Sequence, residues 1–194
     1  MPDRHEAATE SGAASARPRS FPMRRLVLML SALIVVVAAT LVAGRLHFLD
    51  IAYERLFGPP DLGPIEFGRL VRRSLPNDAL ACPPGECGSA EVDVRPQSYP
   101  ASADDLRRQV RRYFAAQGGV LVESDNEYLH DRFVVRTVWL RFPDTVDVEI
   151  FPLDADHATL AVYSRSQLGF WDIGTNLRRV RALLAALGPG VASA

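Results

Sequence analysis

Lysine is absent from this chain of 194 residues, and all 22 of its cationic residues are arginine. We interpret this bias as the mark of a GC-rich coding sequence rather than of function, and it suggests a bacterial source. A strong excess of charge of either sign is also absent. Residues 45–194 carry 17 arginines and 20 acidic residues, a formal charge of −3. Because nucleic-acid partners select a clearly basic face, we predict no nucleic-acid partner.

Cysteine is scarce, with only Cys82 and Cys87, which lie in the segment CPPGEC. The four intervening residues do not match the CxxC spacing of thioredoxin-like or zinc sites. The Pro-Pro-Gly turn between them can fold the chain back, and a disulfide is the default state outside the cytoplasm. We therefore predict a structural disulfide, with a redox-active or metal-binding pair as the less favoured alternative.

Signatures of common catalytic and cofactor sites are missing. The sequence contains no GxSxG elbow, phosphate-binding glycine loop, dinucleotide fingerprint or EF-hand spacing. His130 and Asp131 fall in a strand pattern, where neighbouring side chains point to opposite faces and do not easily share one ion. His157 follows Asp154 and Asp156 in a hairpin tip, which favours a polar turn over a zinc site. We predict no catalytic residue, no metal and no cofactor, and an enzyme is the less favoured class.

The most informative feature is an uncharged run of 19 residues, 26–44, with the sequence LVLMLSALIVVVAATLVAG. As a helix rising about 1.5 Å per residue it would span roughly 28 Å, close to the hydrocarbon thickness of a bilayer. The nine residues before the run contain four arginines, Arg17, Arg19, Arg24 and Arg25, and one arginine, Arg45, directly follows it. The positive-inside bias then predicts a single-pass protein of the bacterial cytoplasmic membrane, with its N-terminus in the cytoplasm and its C-terminal domain on the periplasmic side. A cleaved signal sequence is the alternative, which the length of the run disfavours.

Composition divides the chain into five parts. Residues 1–24 hold few large apolar side chains and are expected to form a disordered cytoplasmic tail. A transmembrane helix (25–45), a juxtamembrane helix with a Pro-rich collar (46–91), an α+β domain (92–188) and a short tail (189–194) follow. Apolar spacing predicts that an amphipathic helix over 45–57 continues the anchor and that a short helix lies within 63–74. Five prolines within 75–100 predict an irregular segment.

Periodicity within the domain predicts two helices and four strands. Ser102 is a candidate N-cap for a helix over 104–117, and Gly174 lies at the start of a closing helix over 174–187. Strands are predicted over 120–123, 128–142, 145–151 and 158–164. Arg107, Arg108, Arg111 and Arg112 are expected to form a solvated helix face. Because the links between strands are short, neighbouring strands must be antiparallel. We predict an α+β fold: a single N-terminal transmembrane helix, then a two-layer domain in which an antiparallel sheet has helices packed on one face.

Three segments of the sequence resemble one known family. They are PNDALACP at 76–83, RFPDTVDVEI at 141–150 and YSRSQLGFWDIGTNLRRVRALLAAL at 163–187. With their spacing, they resemble the DUF1499 family of bacterial and plastid proteins over roughly residues 60–187, and the last segment is the most specific. The resemblance implies a compact domain that is often attached to a membrane segment. It implies no reaction, and the cysteine pair is not part of the family pattern.

The candidate functional site lies in residues 163–179. A strand is expected to end at Tyr163 and a helix to begin near Gly174, so a polar loop would meet a helix N-terminus, which favours an anion. The candidate ligand-binding residues are Ser164, Arg165, Ser166, Asp172, Asn176 and Arg179. The alternative is self-contained structure, in which Arg165 pairs with Asp172. Asp144, in the segment RFPD, is expected to lie in a tight turn and to bond the local backbone.

These features together predict a membrane-anchored binding or interaction module without catalytic activity. Its partners would be the membrane and a lipid, an anionic small molecule or an envelope protein. The sheet face away from the helices, with Phe133, Trp139 and Tyr163, is the expected surface for an apolar ligand or partner. Two alternatives remain open. One is an enzyme that acts on an anionic envelope substrate through the 163–179 loop, centred on Arg165, Ser166 and Asp172, and the other is a structural accessory subunit of an envelope complex.

Overall fold

The computed structural model of the chain describes residues 23–138, 140–169 and 172–188. It separates into two compact units that divide between Arg45 and Leu46. Helix α1 runs from Met23 to Phe57, so the helix predicted over 45–57 does continue the apolar run. α1 is long and apolar enough to span a membrane. The predicted tails lie outside the described residues, except for Met23 and Arg24, which belong to α1.

The C-terminal unit is built on a five-stranded sheet with the order β1-β5-β4-β3-β2. Its strands are β1 (Asp78–Ala81), β2 (Val120–Asp125), β3 (His130–Arg136), β4 (Pro143–Pro152) and β5 (Ala158–Ser166). All neighbouring strands are antiparallel. Helices α2 (Ala103–Ala116) and α3 (Thr175–Ala186) pack on one face. The predicted α+β class, with an antiparallel sheet and helices on one face, is confirmed.

Helix α2 forms where the sequence predicted it. The Ser102 side chain accepts a hydrogen bond from the backbone N–H of Asp105 at 3.2 Å, which satisfies one free donor of the first turn. Its apolar stripe is buried, and the ring of Phe114 lies 4.6 Å from the ring of Phe133 on β3. The helix ends before Gly118, whose φ of 72° is a left-handed conformation that favours glycine.

Two arginines of α2 depart from the expectation of a solvated face. Arg107 is buried and binds both carboxylate oxygens of Asp131 on β3, at 3.1 and 2.7 Å. Arg111 binds the same carboxylate at 2.7 Å through two nitrogens. Burial alone would raise the pKa of Asp131, but the hydrogen bonds from the two arginines lower it below its ordinary value. This ion cluster joins α2 to the sheet.

Strand β1 was missed, since the sequence predicted an irregular segment over 75–100. Residues Asp78–Ala81 pair with the C-terminal half of β5 and form one edge of the sheet. Ala79 and Ala81 face the helices, whereas Leu80 faces the opposite side. The sheet therefore begins inside the segment that was expected to be a Pro-rich collar.

The sheet face opposite the helices is covered. A 3₁₀ turn at Phe67–Arg69 lies within the predicted short helix, and Phe67 packs in a second cluster with Leu80 and Tyr163. Tyr163 is buried there, and Phe133 faces the helices on the other side. Trp139 lies outside the described residues. The prediction that Phe133 and Tyr163 belong to an open apolar surface is therefore wrong.

A disulfide joins Cys82 and Cys87 within this second cluster, and both residues are buried. It closes a loop of six residues, so the chain-entropy estimate gives about 2 kcal/mol of stabilisation. We expect the double replacement Cys82→Ser and Cys87→Ser to lower the free energy of unfolding by at least this amount, measured by denaturant unfolding in detergent. Unchanged stability would show that the disulfide does not stabilise the fold by restricting the unfolded chain.

Candidate functional site

Strand β5 carries three of the predicted site residues and continues to Ser166, beyond its expected end. Successive side chains on a strand point to opposite faces. Ser164 and Ser166 consequently face α3, whereas Arg165 faces the other side of the sheet. All three side chains are buried. The extra length of β5 thus separates residues that a loop would have brought together.

Six polar side chains meet where β4 and β5 face the start of α3. We call them the polar cluster: Asp144, Ser164, Ser166, Asp172, Asn176 and Arg179. The fully buried Asn176 lies at its centre. The side-chain oxygen Oδ1 of Asn176 accepts from Ser164 at 2.6 Å and from Arg179 at 2.7 Å. Its amide donates to Ser166 at 3.1 Å, to Asp172 at 2.8 Å and to the backbone oxygen of Asn77 at 3.0 Å. Asn176 therefore ties the helix to two strands.

The charged pair of the polar cluster is Asp144 with Arg179. Arg179 Nη2 lies 2.5 Å from Asp144 Oδ2, and Ser166 Oγ donates to the other oxygen of Asp144 at 2.5 Å. Burial raises the pKa of Asp144, and the adjacent guanidinium of Arg179 opposes that rise. A buried carboxylate is held here because its charge is paired and both oxygens are bonded.

Asp172 occupies the N-terminus of α3. Its carboxylate accepts from the backbone N–H groups of Gly174 at 2.8 Å and Asn176 at 2.7 Å. A negative charge at this end of a helix is favoured by the free N–H groups and the helix dipole. The chain thus supplies its own carboxylate at the position where the sequence suggested an external anion.

Arg165 is not part of the polar cluster, and the alternative in which it pairs with Asp172 is wrong. Its guanidinium lies 2.9 Å from Asp147 on the opposite face of the sheet and also binds the backbone oxygen of Gly63. It lies 5.7 Å from the ring centroid of Tyr163. These contacts hold the segment around residue 63 against the sheet, which is a structural role.

The strand predicted over 128–142 is shorter than expected: β3 ends at Arg136, and a turn closes between Thr137 and Phe142. The Thr137 hydroxyl accepts from the backbone N–H of Phe142 at 2.9 Å, and the Thr137 N–H donates to the Phe142 oxygen at 3.0 Å. Arg141 has a φ of 58°. The chain then enters β4 at Pro143, so Asp144 is a strand residue and not the turn residue that the sequence suggested.

A cleft of about 430 Å³ opens between this turn and the described residues that follow β5, 168–169 and 172–175. We call it the edge cleft. Its apolar lining is Val138, Leu140, Phe142, Leu168 and Ile173, and its polar lining is Thr137, Asp144, Ser166, Asp172 and Thr175, together with Gly169. The polar cluster therefore contributes three side chains to this lining, Asp144, Ser166 and Asp172, which we call the floor of the edge cleft. The volume lies within the range of small-molecule sites.

Asp144 and Asn77 are the residues that the sequence analysis missed. A signal for Asp144 was available, because the alternation of Val146, Val148 and Ile150 extends back by two residues to position 144. That extension places Asp144 on the helix side. Asn77 contributes through its backbone oxygen, and its side chain donates to the Gly169 oxygen at 2.7 Å, so no side-chain pattern reveals it.

The sequence model of a family described as "Protein of unknown function (DUF1499)" matches residues 71–187. The chain belongs to the DUF1499 family. A comparison with curated proteins finds no significant match. The description of the family names no activity, so the function has to be argued from the site itself.

The family match covers the part of the chain that builds the site. The DUF1499 region contains all five strands, α2, α3 and every residue of the polar cluster. It also contains the whole lining of the edge cleft. Helix α1 and the 3₁₀ turn at Phe67–Arg69 lie before it. The edge cleft is thus a feature of the DUF1499 domain rather than of its membrane attachment.

Proposed function

We propose that this protein is a membrane-anchored binding module whose DUF1499 domain holds an amphiphilic ligand in the edge cleft. The observation that supports it is the division of the lining into apolar walls and a buried polar floor. Such a lining matches a molecule with an apolar body and a polar end. A lipid of the membrane in which α1 is anchored has this chemistry and is present next to the domain.

The floor of the edge cleft favours a polar end that donates hydrogen bonds. Two of its three buried or half-buried polar groups, Asp144 and Asp172, are carboxylates, which accept and do not donate when ionised. The positive charge of Arg179 is already engaged by Asp144. A hydroxyl or amine therefore suits the floor better than a free anion.

The geometry does not favour the enzyme alternative. Its candidate residues were Arg165, Ser166 and Asp172, and Arg165 lies on the opposite face of the sheet from the other two. Ser166 donates its hydroxyl proton to the carboxylate of Asp144, and no histidine among the described residues pairs with it as a base. Binding without chemistry accounts for the same residues.

The proposed location is the bacterial cytoplasmic membrane, with the domain on the periplasmic side. The arginine bias around the run 26–44 supports this orientation. The disulfide of Cys82 and Cys87 fits an oxidising compartment. The division into a cytoplasmic tail, a span, a juxtamembrane segment and an α+β domain belongs to the same proposal, with β1 added to the domain.

Native mass spectrometry of the full chain, released from mild detergent, tests the proposal. We expect lipid to accompany the wild-type protein. The variant Leu168→Trp fills the edge cleft and should carry less lipid. Leu153→Trp is the control, because Leu153 is exposed and lies beyond the far end of β4. Lipid around α1 is common to all variants, so the difference between the two variants reports on the cleft.

Two results would contradict the proposal. One is wild-type protein that carries no more lipid than Leu168→Trp, and the other is equal loss in both tryptophan variants. Should Leu168→Trp fail to fold, Val138→Trp serves in its place, because Val138 lines the same cleft and is largely exposed. The melting temperature of each variant, measured in the same detergent, separates loss of binding from loss of structure.

A further inference from the structure

Two loops at one end of strands β3, β4 and β5 expose large apolar side chains to solvent. Val138 is 81% exposed and Leu140 is 55% exposed in the turn after β3, and Ile173 is 73% exposed before α3. We call the described residues of these two loops, 137–138, 140–142, 167–169 and 172–174, the loop edge. The walls of the edge cleft belong to it, but these three side chains extend well into solvent. Exposed apolar groups gathered in one place indicate a surface that is covered in the working protein.

The end of α1 packs against this same edge. The ring of Tyr53 lies 5.4 Å from the ring of Phe142, and Asp50 binds the guanidinium of Arg141 at 3.0 and 2.6 Å. The Gln167 amide donates to the backbone oxygen of Pro59 at 2.5 Å. These residues all belong to the C-terminal unit. Through these contacts the loop edge lies next to residues 50–59, which follow the uncharged run 26–44 in the chain.

The length of chain between that run and the loop edge is short. Asp50 follows Gly44 by six residues. Even fully extended, six residues span at most about 22 Å, and as a helix about 9 Å. Whatever the angle between the two units, the residues around Asp50 and Arg141 must stay close to the surface of the membrane that holds the run.

Charge and composition at the loop edge also suit a lipid surface. Arg141 is paired with Asp50, and Arg136 is paired with Glu54 at 3.1 Å, so two arginines near this edge are neutralised by the chain itself. The sequences of the two loops, TVWLRF and QLGFWDIG, contain both tryptophans of the protein. Tryptophan is enriched at membrane–water interfaces, where its ring lies at the level of the headgroups.

We propose that the loop edge docks on the surface of the bilayer in which α1 is anchored. Val138, Leu140 and Ile173 would then lie in the interfacial layer of the lipid. Docking requires only that the helix spans the membrane, and it does not depend on whether the edge cleft holds a ligand. It would orient the domain and open the edge cleft toward lipid.

Site-specific fluorescent labels on the full chain in lipid nanodiscs test the docking. Both native cysteines are in the disulfide, so Leu140→Cys and Leu153→Cys each introduce a single reactive thiol. The two leucines are equally exposed, at 55%, and lie beyond opposite ends of β4. An environment-sensitive fluorophore at position 140 should emit at shorter wavelength than one at 153. It should be quenched by nitroxide lipids and protected from aqueous iodide.

Three results would overturn the proposal. Equal quenching by iodide at both positions would show that the loop edge stays in water. Stronger lipid quenching at 153 than at 140 would place the opposite end of the sheet at the membrane. Protection of position 140 from both quenchers would show that protein, such as a second copy, covers the edge. Lipid loss in Leu168→Trp would be unaffected by any of these, so failure of docking and failure of ligand binding remain distinguishable.

Discussion

Replacement of Arg107 by methionine is expected to lower the free energy of unfolding by about 3–5 kcal/mol, because it breaks a buried ion pair. Arg107 is only 6% exposed and binds Asp131 through two nitrogens. It also donates to the backbone oxygens of Asp125 and His130, at 2.6 and 3.2 Å, and so holds the turn between β2 and β3. Methionine keeps the helix propensity and much of the apolar stem, so the loss reports on the guanidinium.

The neighbouring Arg108 provides the matched control. Its side chain is 60% exposed and pairs with Asp105 within the same helix. Arg108→Met should change stability by no more than about 1 kcal/mol, since exposed ion pairs contribute little. Urea unfolding of both variants in the same detergent measures the difference. Equal effects of the two replacements would show that Asp131 is held by Arg111 alone and that Arg107 is dispensable.

Replacement of Arg179 by methionine should have an effect of similar size, about 3–5 kcal/mol, because it leaves the buried carboxylate of Asp144 without its cation. The same change removes the hydrogen bonds of Arg179 to Ser164 and Asn176, at 2.9 and 2.7 Å. The polar cluster would therefore lose its order together with the fold. The role of Arg179 as a ligand-binding residue stays a prediction, and its contacts within the chain are to Ser164, Asn176 and Asp144.

Arg178 is the control for this second replacement. Its guanidinium reaches the backbone oxygen of Ile173 and the hydroxyl of Thr175, at the exposed start of α3. Arg178→Met is expected to cost no more than about 1 kcal/mol, like other surface changes. Thermal unfolding followed by circular dichroism separates the two variants. If Arg179→Met unfolds at the wild-type temperature, the pair with Asp144 is not what stabilises the cluster.

Some of this fold follows directly from local pattern. The alternation of Val146, Val148 and Ile150 with Asp147 and Glu149 specifies both the strand and its two faces, and β4 has them as expected. Short links between strands then require antiparallel neighbours. Strand β1 offers no such signal, because DALA is short, is followed by prolines and pairs with β5 far along the chain. Pairing over such a distance is not encoded in a local window.

The candidate site was predicted in part, because five of its members lie close together in the sequence. Ser164, Ser166, Asp172, Asn176 and Arg179 lie together in the structure, as their grouping in the sequence suggested.

The errors in the site arise from a strand end placed two residues too early. Because β5 continues to Ser166, Arg165 belongs to the strand, and the alternation of side chains places it on the face opposite Ser164 and Ser166. Asp144 was missed for the same kind of reason, since β4 begins before the predicted residue 145. The buried pair of Arg107 with Asp131 joins two elements, and a helix face rich in arginine resembles a solvated one until its partner is placed.

Photo-crosslinking with a lipid that carries a diazirine on its acyl chain tests most directly whether the DUF1499 domain works at the lipid surface. Trypsin cuts this lysine-free chain only at arginine and releases TVWLR (137–141) and SQLGFWDIGTNLR (166–178) from the loop edge. The peptide between them, 142–165, carries Leu153 and the far end of the sheet. We predict lipid adducts on both loop-edge peptides as well as on the peptide of the apolar run, and none within 142–165 beyond Phe142, which belongs to the loop edge. Adducts confined to the peptide of the apolar run would contradict it.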